Sequence, residues 1–368
     1  MTVLASPSAD YYPLLLDPVM KAKLWGGRML ESVVRKTLPA GQAIGETWEA
    51  WQGCVVANGP HRGRALGALI ADDPRGMLGV LGGEQLPLLF KYIDARDHLS
   101  VQVHPDDAQA QELERYPFGK TEAWYVLHAD PGASLVHGFR RPLDEAVVRD
   151  ALARGTLTDL LAFVPVQPGD VLFVPAGLVH AIGKGIVLAE IQQNSDTTYR
   201  FYDWDRRDDA GQPRELHVEQ SLRVSHLDAP AAHTVPALMI DQAGWSRAFL
   251  VACRYFALER WHVSRTVPAP APAGKFHIVS SLSGEAQIAY GQDEIVTVAH
   301  GQTLFVPAAL GAYQIRPVEP ACELLCAYVP DLVADVVVPL REAGFADADI
   351  LRLGGPLERH NDLHPLVR

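Results

Sequence analysis

Cysteine is scarce in this chain: among 368 residues there are only Cys54, Cys253, Cys322 and Cys326, and none forms a C-x-x-C pair. Cys322 and Cys326 fall in "ACELLCAYV", which reads as a strand. Four residues of strand span roughly 13 Å, too far for a disulfide. The expectation is reduced thiols and a cytoplasmic protein. Long apolar runs are missing as well, so no segment reaches membrane-spanning length. The opening "MTVLASPSADYYPLLLDPVMKAKLWGG" has no basic stretch followed by an apolar core, so no signal peptide is expected. Positive charge is in deficit, with a formal net charge of −12. That argues against nucleic acid and against an anionic membrane surface as partners. An anionic substrate would need a local cluster of Lys and Arg. No G-x-G-x-x-G fingerprint follows a strand, which argues against a bound dinucleotide and hydride transfer.

What is present is ordinary globular material, 48% hydrophobic and 21% charged, enough for large cores in two or three domains. Short strands dominate: "LSVQVHP", "TEAWYVL", "DVLFVP" and "VLAEIQQ" carry β-branched and aromatic residues in strand-length runs. The spacing predicts a helix in "PLDEAVVRDALARGTLTDLLAFV", opened by Pro142, and one or two short ones in "RALGALIADDPRGMLGVLG". "DAPAAHTVPA" reads as a connector, "PAPAPAGK" as an extended surface loop, and "PLREAGFADADILRLGG" as holding a short helix.

An internal repeat organises the rest. "GKTEAWYVL" is followed about fifty residues later by "GDVLFVPAGLVH"; "GKFHIVSSLSG" is followed by "GQTLFVPAALGA". Pro175 and Pro307 each fall six residues after a glycine, but Ala309 and Ala312 replace Gly177 and His180 in the second copy. The Gly-x5-Pro-x-Gly-x2-His spacing resembles the second motif of the cupin superfamily, which implies a jelly-roll, or double-stranded β-helix, fold. The expected fold is mainly β, with two cupin barrels and a few helices inserted in or flanking the first. The expected domains are 1–228, a metal-binding catalytic cupin; 229–330, a second cupin without a metal site; and 331–368, a C-terminal extension.

The first barrel supplies candidate metal ligands. In "SVQVHPDD", Gln102 and His104 are two apart on a strand and face the same side. In "GKTEAW", Lys120 and Glu122 likewise share a face. With His180 these give two imidazoles, one carboxylate and one amide oxygen, a set that suits a divalent first-row metal. Taken singly, His180 reads as a core histidine, Glu122 as a solvated strand residue and "HPDD" as a turn. Three matching positions on one template outweigh those readings. The second block offers only His277, at the position equivalent to Glu122, so it reads as structural.

The motifs "PLLFKYIDARDHLSVQVHPDD", "GKTEAWYVLHAD", "GDVLFVPAGLVHAIGKG" and "EIQQNSDTTYRFYDWDR", with "GETWEAW" upstream, resemble the type I mannose-6-phosphate isomerase family in its shorter bacterial form. The resemblance runs from about Lys21 to residue 329. It implies a zinc-dependent interconversion of mannose 6-phosphate and fructose 6-phosphate, with one Zn2+ per chain on Gln102, His104, Glu122 and His180. It places the family's active-site arginine on Arg200 and keeps its spacing to Glu190 and Asp196. Lys91 and Ser100 match positions associated with the substrate's phosphate, and Lys120 also matches. Longer members carry a further lysine after the arginine; here "FYDWDRR" stands in that place, which leaves Arg206 and Arg207 as candidates to substitute for it.

The chemistry agrees with that set. Aldose–ketose isomerisation moves a proton between adjacent carbons through an enediol. It needs positive charge over the developing enediolate, from a Lewis-acid metal and from Arg200. It also needs a base, for which Glu190 and Lys120 both qualify. Two rival functions share parts of the pattern. Two His and a carboxylate also form the facial triad of non-haem iron oxygenases, and an isomerase of free sugars would need the same metal. A non-catalytic sugar-binding bicupin is the other rival. The cations Lys91, Lys120 and Arg200 favour a sugar phosphate over the first, and the complete ligand set of the first barrel argues against the second.

Overall fold

The computed structural model describes residues 11–208, 210–228, 234–355 and 360–367. The middle of the expected connector, residues 229–233, and parts of both termini lie outside the described residues. The protein is mainly β. Its strands sort into four antiparallel sheets of eight, six, five and four strands, and none closes on itself among the described residues. The six-stranded sheet, with Glu122–Ala129, Ile186–Gln193 and Leu88–Ala95 at its centre, packs on the five-stranded sheet that contains Val101–Val103, His180–Ala181 and Tyr199–Tyr202. Trp124, Val126, Leu172 and Leu188 of the first sheet meet Leu99, Leu135, Leu178 and Ile182 on and beside the second in one buried core. The runs "LLFKYIDA" and "IVLAEIQQ" are buried along their whole length. That is why they read as continuous apolar stretches rather than alternating ones.

The repeat is visible in the register. Val174 pairs with Glu122 in the first copy, and Val306 pairs with His277 in the second. The two copies of "LFVP" therefore lie against equivalent strands. The copies diverge after the proline. Gly177 holds φ at +84°, and a Cβ there would sit 2.0 Å from the His226 ring, so only glycine fits this turn. The turn then donates Gly177 N–H to the carbonyl of His104 at 2.9 Å. In the second copy Ala308–Leu310 forms a 3-10 turn instead. The N-terminal strand Leu14–Asp17 pairs with Thr303–Phe305, so the start of the chain completes the eight-stranded sheet built mostly from the second block.

His277 is fully engaged: Nε2 meets the Pro272 carbonyl at 2.9 Å and Nδ1 the Tyr313 hydroxyl at 3.2 Å. Tyr313 follows Ala312, so a tyrosine fills the space next to the missing histidine. Burial pushes the His277 pKa down from 6.5 to about 4. The unfolded chain therefore takes up a proton between these values that the folded chain refuses, and this contribution to stability is lost as pH falls through that window. The difference in Tm between the protein and His277→Gln is expected to narrow as pH is lowered from 6.5 toward 4. A constant difference across that range counts against a neutral His277.

Three of the helical expectations match what forms: Leu66–Asp72 and Pro74–Leu78 are helices, as are Val338–Glu342 and Asp347–Arg352 near the end, and a helix spans Glu145–Arg154. That last helix is shorter than its pattern. Gly155, at φ +68°, caps it in the left-handed region, and Leu161–Pro165 leaves to pair as a strand with Ser134–Phe139. "PAPAPAGK" forms a loop after Pro268. All four cysteines are free and buried. No helix among the described residues is long and apolar enough to cross a membrane.

Candidate metal centre

The two facing sheets bring together residues from distant parts of the chain. Gln102 sits in the 101–103 strand opposite His180, and His104 follows that strand directly. Glu122 opens the 122–129 strand of the facing sheet. The segment between them is folded back. Asp106 caps the helix Asp107–Glu114 in a capping box with Gln109. Asp107 Oδ1 accepts from Gly119 N–H at 2.7 Å, and Lys120 N–H donates to the Pro105 carbonyl at 2.9 Å. "HPDD" and "GKTE" are therefore tied side by side.

The backbone sets the state of both histidines. Nδ1–H of His104 donates to the Thr197 carbonyl, and Nδ1–H of His180 to the Leu178 carbonyl, each at 2.8 Å. With the proton on Nδ1, each Nε2 presents a bare lone pair. Burial is the first cause that holds His104 well below the usual histidine range, with the Lys120 ammonium next, and burial pushes His180 down to about 4. Both rings are therefore neutral near pH 7. Yet their Nε2 atoms lie 3.6 and 3.3 Å from the Glu122 carboxylate. The ligand atoms of the three residues all fall within 4.8 Å of one another. Both Glu122 oxygens and His104 Nε2 are buried without a hydrogen bond. His104 Nε2 and the Glu122 oxygens face each other with no proton between them and repel one another unless a cation sits there. The residues fit a divalent metal. The Gln102 amide faces the same point, 3.4 Å from His180 Nε2.

The donors lie beside a cavity of about 280 Å³. Among the residues expected from sequence to form the site, Lys91, Ser100, Gln102, Lys120, Glu190, Asp196 and Arg200 line it. Lys91 and Glu190 face each other on adjacent strands as an ion pair at 2.8 Å. The Trp124 indole donates to the other Glu190 oxygen at 2.8 Å. Burial, then the neighbouring Glu122, raises the Glu190 pKa against the pull of Lys91. The Lys120 ammonium stands 3.3 Å from Glu122. Arg200 lies opposite Gln102, donates from Nη1 to the Glu215 carbonyl at 2.7 Å and leaves Nε buried without a partner. Ser100 Oγ donates to Gln102 Oε1 at 3.3 Å. Asp196 is exposed at the cavity wall.

Three charged residues of the wall were not foreseen: Lys23, Glu46 and Arg214. Burial would raise the Glu46 pKa, but Lys91 and Lys23 together bring it down to about 2. The signal for Lys23 and Glu46 lies in "KAKLWGG" and "GETWEAW", where each charge stands among aromatic and apolar residues. Arg206 and Arg207 do not line the cavity. In all, the wall carries Lys23, Lys91, Lys120, Arg200 and Arg214 against the carboxyl groups of Glu46, Glu190 and Asp196. A chain with a net charge of −12 has thus gathered its cations around one hollow.

Comparison with known proteins decides the family. The family model "Phosphomannose isomerase type I, catalytic domain" matches residues 14–130, and "Mannose-6-phosphate isomerase, cupin domain" matches residues 246–328. The mannose-6-phosphate isomerase of Streptococcus mutans is 40% identical over 306 residues, covering 82% of this chain and 94% of that protein. The chain belongs to the type I phosphomannose isomerase family. The Bacillus subtilis member ManA is 37% identical over 309 residues, covering 83% of this chain and 96% of its own. A crystal structure of the mannose 6-phosphate isomerase from Bacillus subtilis aligns with a TM-score of 0.78 at 30% identity, over 86% of this chain and 99% of that one.

Proposed function

We infer that this phosphomannose isomerase family member interconverts mannose 6-phosphate and fructose 6-phosphate in the cytoplasm, with one zinc ion held by Gln102, His104, Glu122 and His180. The observation that carries the reading is the convergence of two neutral Nε2 atoms and a buried carboxylate that makes no hydrogen bond, beside a cavity walled by five cations. Gln102 joins the set through its amide oxygen after a half-turn of the amide. The facing six- and five-stranded sheets serve as one jelly-roll unit. A second unit is built around residues 246–328, where both His277 ring nitrogens are taken by protein groups.

A bound divalent ion supplies Lewis-acid polarisation of the substrate's carbonyl and hydroxyl oxygens. The rest is done by the chain. Arg200 holds its guanidinium beside Gln102 and stabilises negative charge on the oxygens of the enediolate. Glu190 and Lys120 are the two groups of the wall able to carry the proton between C1 and C2. Trp124 and Lys91 fix the Glu190 carboxyl from both sides. Lys91, Ser100 and Asp196 bind the substrate, and buried apolar side chains such as Ile93, Leu99 and Ile182 keep the hollow poor in water. The cationic wall favours a sugar phosphate over a free sugar or an oxygenase substrate.

A coupled assay that detects fructose 6-phosphate formed from mannose 6-phosphate tests the function; no product from metal-loaded protein refutes it. The proton route has its own test. Product formed in heavy water is expected to carry deuterium at the carbon that receives the proton, because Glu190 or Lys120 exchanges with solvent. Complete retention of the substrate hydrogen, under conditions where the base exchanges with solvent, counts against the enediol route.

A further inference from the structure

Ser100, Gln102 and His104 alternate along one segment, so they form a row on one face with steps of about 7 Å. Gln102 and His104 belong to the metal end of that row. Ser100, only 3% exposed, is the next step away. The neighbouring strand runs antiparallel, with Arg200 opposite Gln102 and Tyr202 opposite Val101. The chain therefore leaves the sheet at Asp203, beside the Ser100 end. The loop that follows is pinned on both sides. Trp204 Nε1 donates to the Leu99 carbonyl at 2.7 Å, and His217 N–H to the Arg200 carbonyl at 2.8 Å. Within it Arg214 returns to the cavity wall and places Nε, at 2.6 Å, and Nη2 on the buried Asp203 carboxylate. This fork-on-fork contact fixes the plane of the guanidinium. Its Nη1 makes no hydrogen bond among the described residues.

Of Arg206 and Arg207, the residues that follow "FYDWD", Arg206 keeps its Nη1 4.0 Å from the same Asp203 carboxylate, but neither residue lines the cavity. Arg206 donates to the His98 carbonyl and lies 3.7 Å from Asp97. Arg207 is exposed and donates to the Gly211 carbonyl at 2.9 Å. Arg200 and Arg214 thus bring two guanidinium groups of like charge to one wall, next to Ser100 and one step from the metal ligands. Asp203 balances one of the two charges, and the Nη1 that it leaves free on Arg214 can take an anion at that wall. In an open-chain hexose 6-phosphate the phosphate sits four carbons beyond C2, so a sugar whose C1 and C2 meet the metal end reaches the Ser100 end with its phosphate.

We propose that Arg214 is a substrate-anchoring residue that, with Ser100, grips the phosphate of the sugar phosphate, and that Asp203 is the positioning residue that aims it. The proposal rests on the isomerase reading above. Arg214→Ala is expected to raise KM for mannose 6-phosphate about tenfold or more, the scale of a lost charge-assisted hydrogen bond, with kcat nearly unchanged. Competitive inhibition by inorganic phosphate weakens by a similar factor, and any turnover of free mannose is unchanged. Arg214→Lys keeps the charge but loses the two-point hold on Asp203, so it raises KM by less; it carries the test should the alanine variant not fold. Asp203→Asn raises KM without lowering kcat, and Arg207→Ala changes neither. An unchanged KM in both Arg214 variants, or a fall in kcat at constant KM, overturns the proposal. Calorimetric binding of mannose 6-phosphate separates this claim from the function. If the protein binds the sugar phosphate without turning it over, the isomerase reading fails and the affinity ratio still decides Arg214. If it turns the substrate over and Arg214→Ala binds it equally well, Arg214 alone is refuted.

Discussion

His180→Ala is expected to abolish metal binding and to lower isomerase activity by well over 100-fold, beyond the roughly 10- to 100-fold that loss of an outer-shell partner costs. The geometry gives the reason. His180 Nε2 is one of three donors within 4.8 Å of one another. Its tautomer is fixed by the Leu178 carbonyl, so no other residue supplies an equivalent lone pair. The sheets themselves are expected to survive the change. His180 lies in a two-residue strand between neighbours held by backbone bonds, and around it the core is apolar. Removing one donor even relieves repulsion in the metal-free protein. Thermal melts with and without metal separate the effects. Metal at 100 times its Kd stabilises the native protein by about 2.7 kcal/mol, and the variant is expected to show no such rise in Tm. A variant that keeps stoichiometric metal and full activity contradicts the ligand assignment. His104→Ala is expected to behave in the same way.

Arg200→Ala is expected to lower kcat by roughly 100-fold or more, the scale seen when one oxyanion-stabilising donor is removed, with little change in KM. Arg200 lies directly across the strand pair from Gln102 and lines the cavity, and its Nε is buried without a partner. Help that is given only as charge grows on the substrate oxygens appears in kcat rather than in KM. Arg200→Lys restores only part of the rate, because a point charge on a flexible stem does not reproduce a planar fork of donors. A rise in KM at constant kcat would make Arg200 a substrate anchor instead. The contrast with Arg214 is sharp. The two guanidinium groups share a wall, but the one opposite Gln102 is expected to act on rate and the one held by Asp203 on affinity.

The metal-end residues were legible because their information is local. Gln102 and His104 alternate on one strand, Glu122 opens another, and His180 follows a glycine turn that tolerates no side chain. The cation wall was half legible. Lys91, Lys120 and Arg200 stand inside long motifs, whereas Arg214 reaches the cavity through a loop whose course depends on one carboxylate, Asp203, eleven residues earlier. No periodicity encodes such a contact. The helix Asp107–Glu114 is short and polar, and its opening "HPDD" has the composition of a turn, so the sequence carries no clear helical signal there. The helix after Pro142 was read too long because "LLAFV" is as apolar as a helical face; pairing with Ser134–Phe139 claims it for a sheet. The joining of Leu14–Asp17 to Thr303–Phe305 is a contact between segments far apart in the chain, and alternation within either segment carries no trace of it.

Metal content measured together with activity tests the central claim most directly. Protein stripped by exhaustive chelation is titrated with zinc, and conversion of mannose 6-phosphate is followed at each addition. Activity is expected to be absent at the start, to rise linearly and to level off at one metal ion per chain. Full activity in the stripped protein, or a plateau only at two tightly bound ions per chain, contradicts a single metal centre built from Gln102, His104, Glu122 and His180.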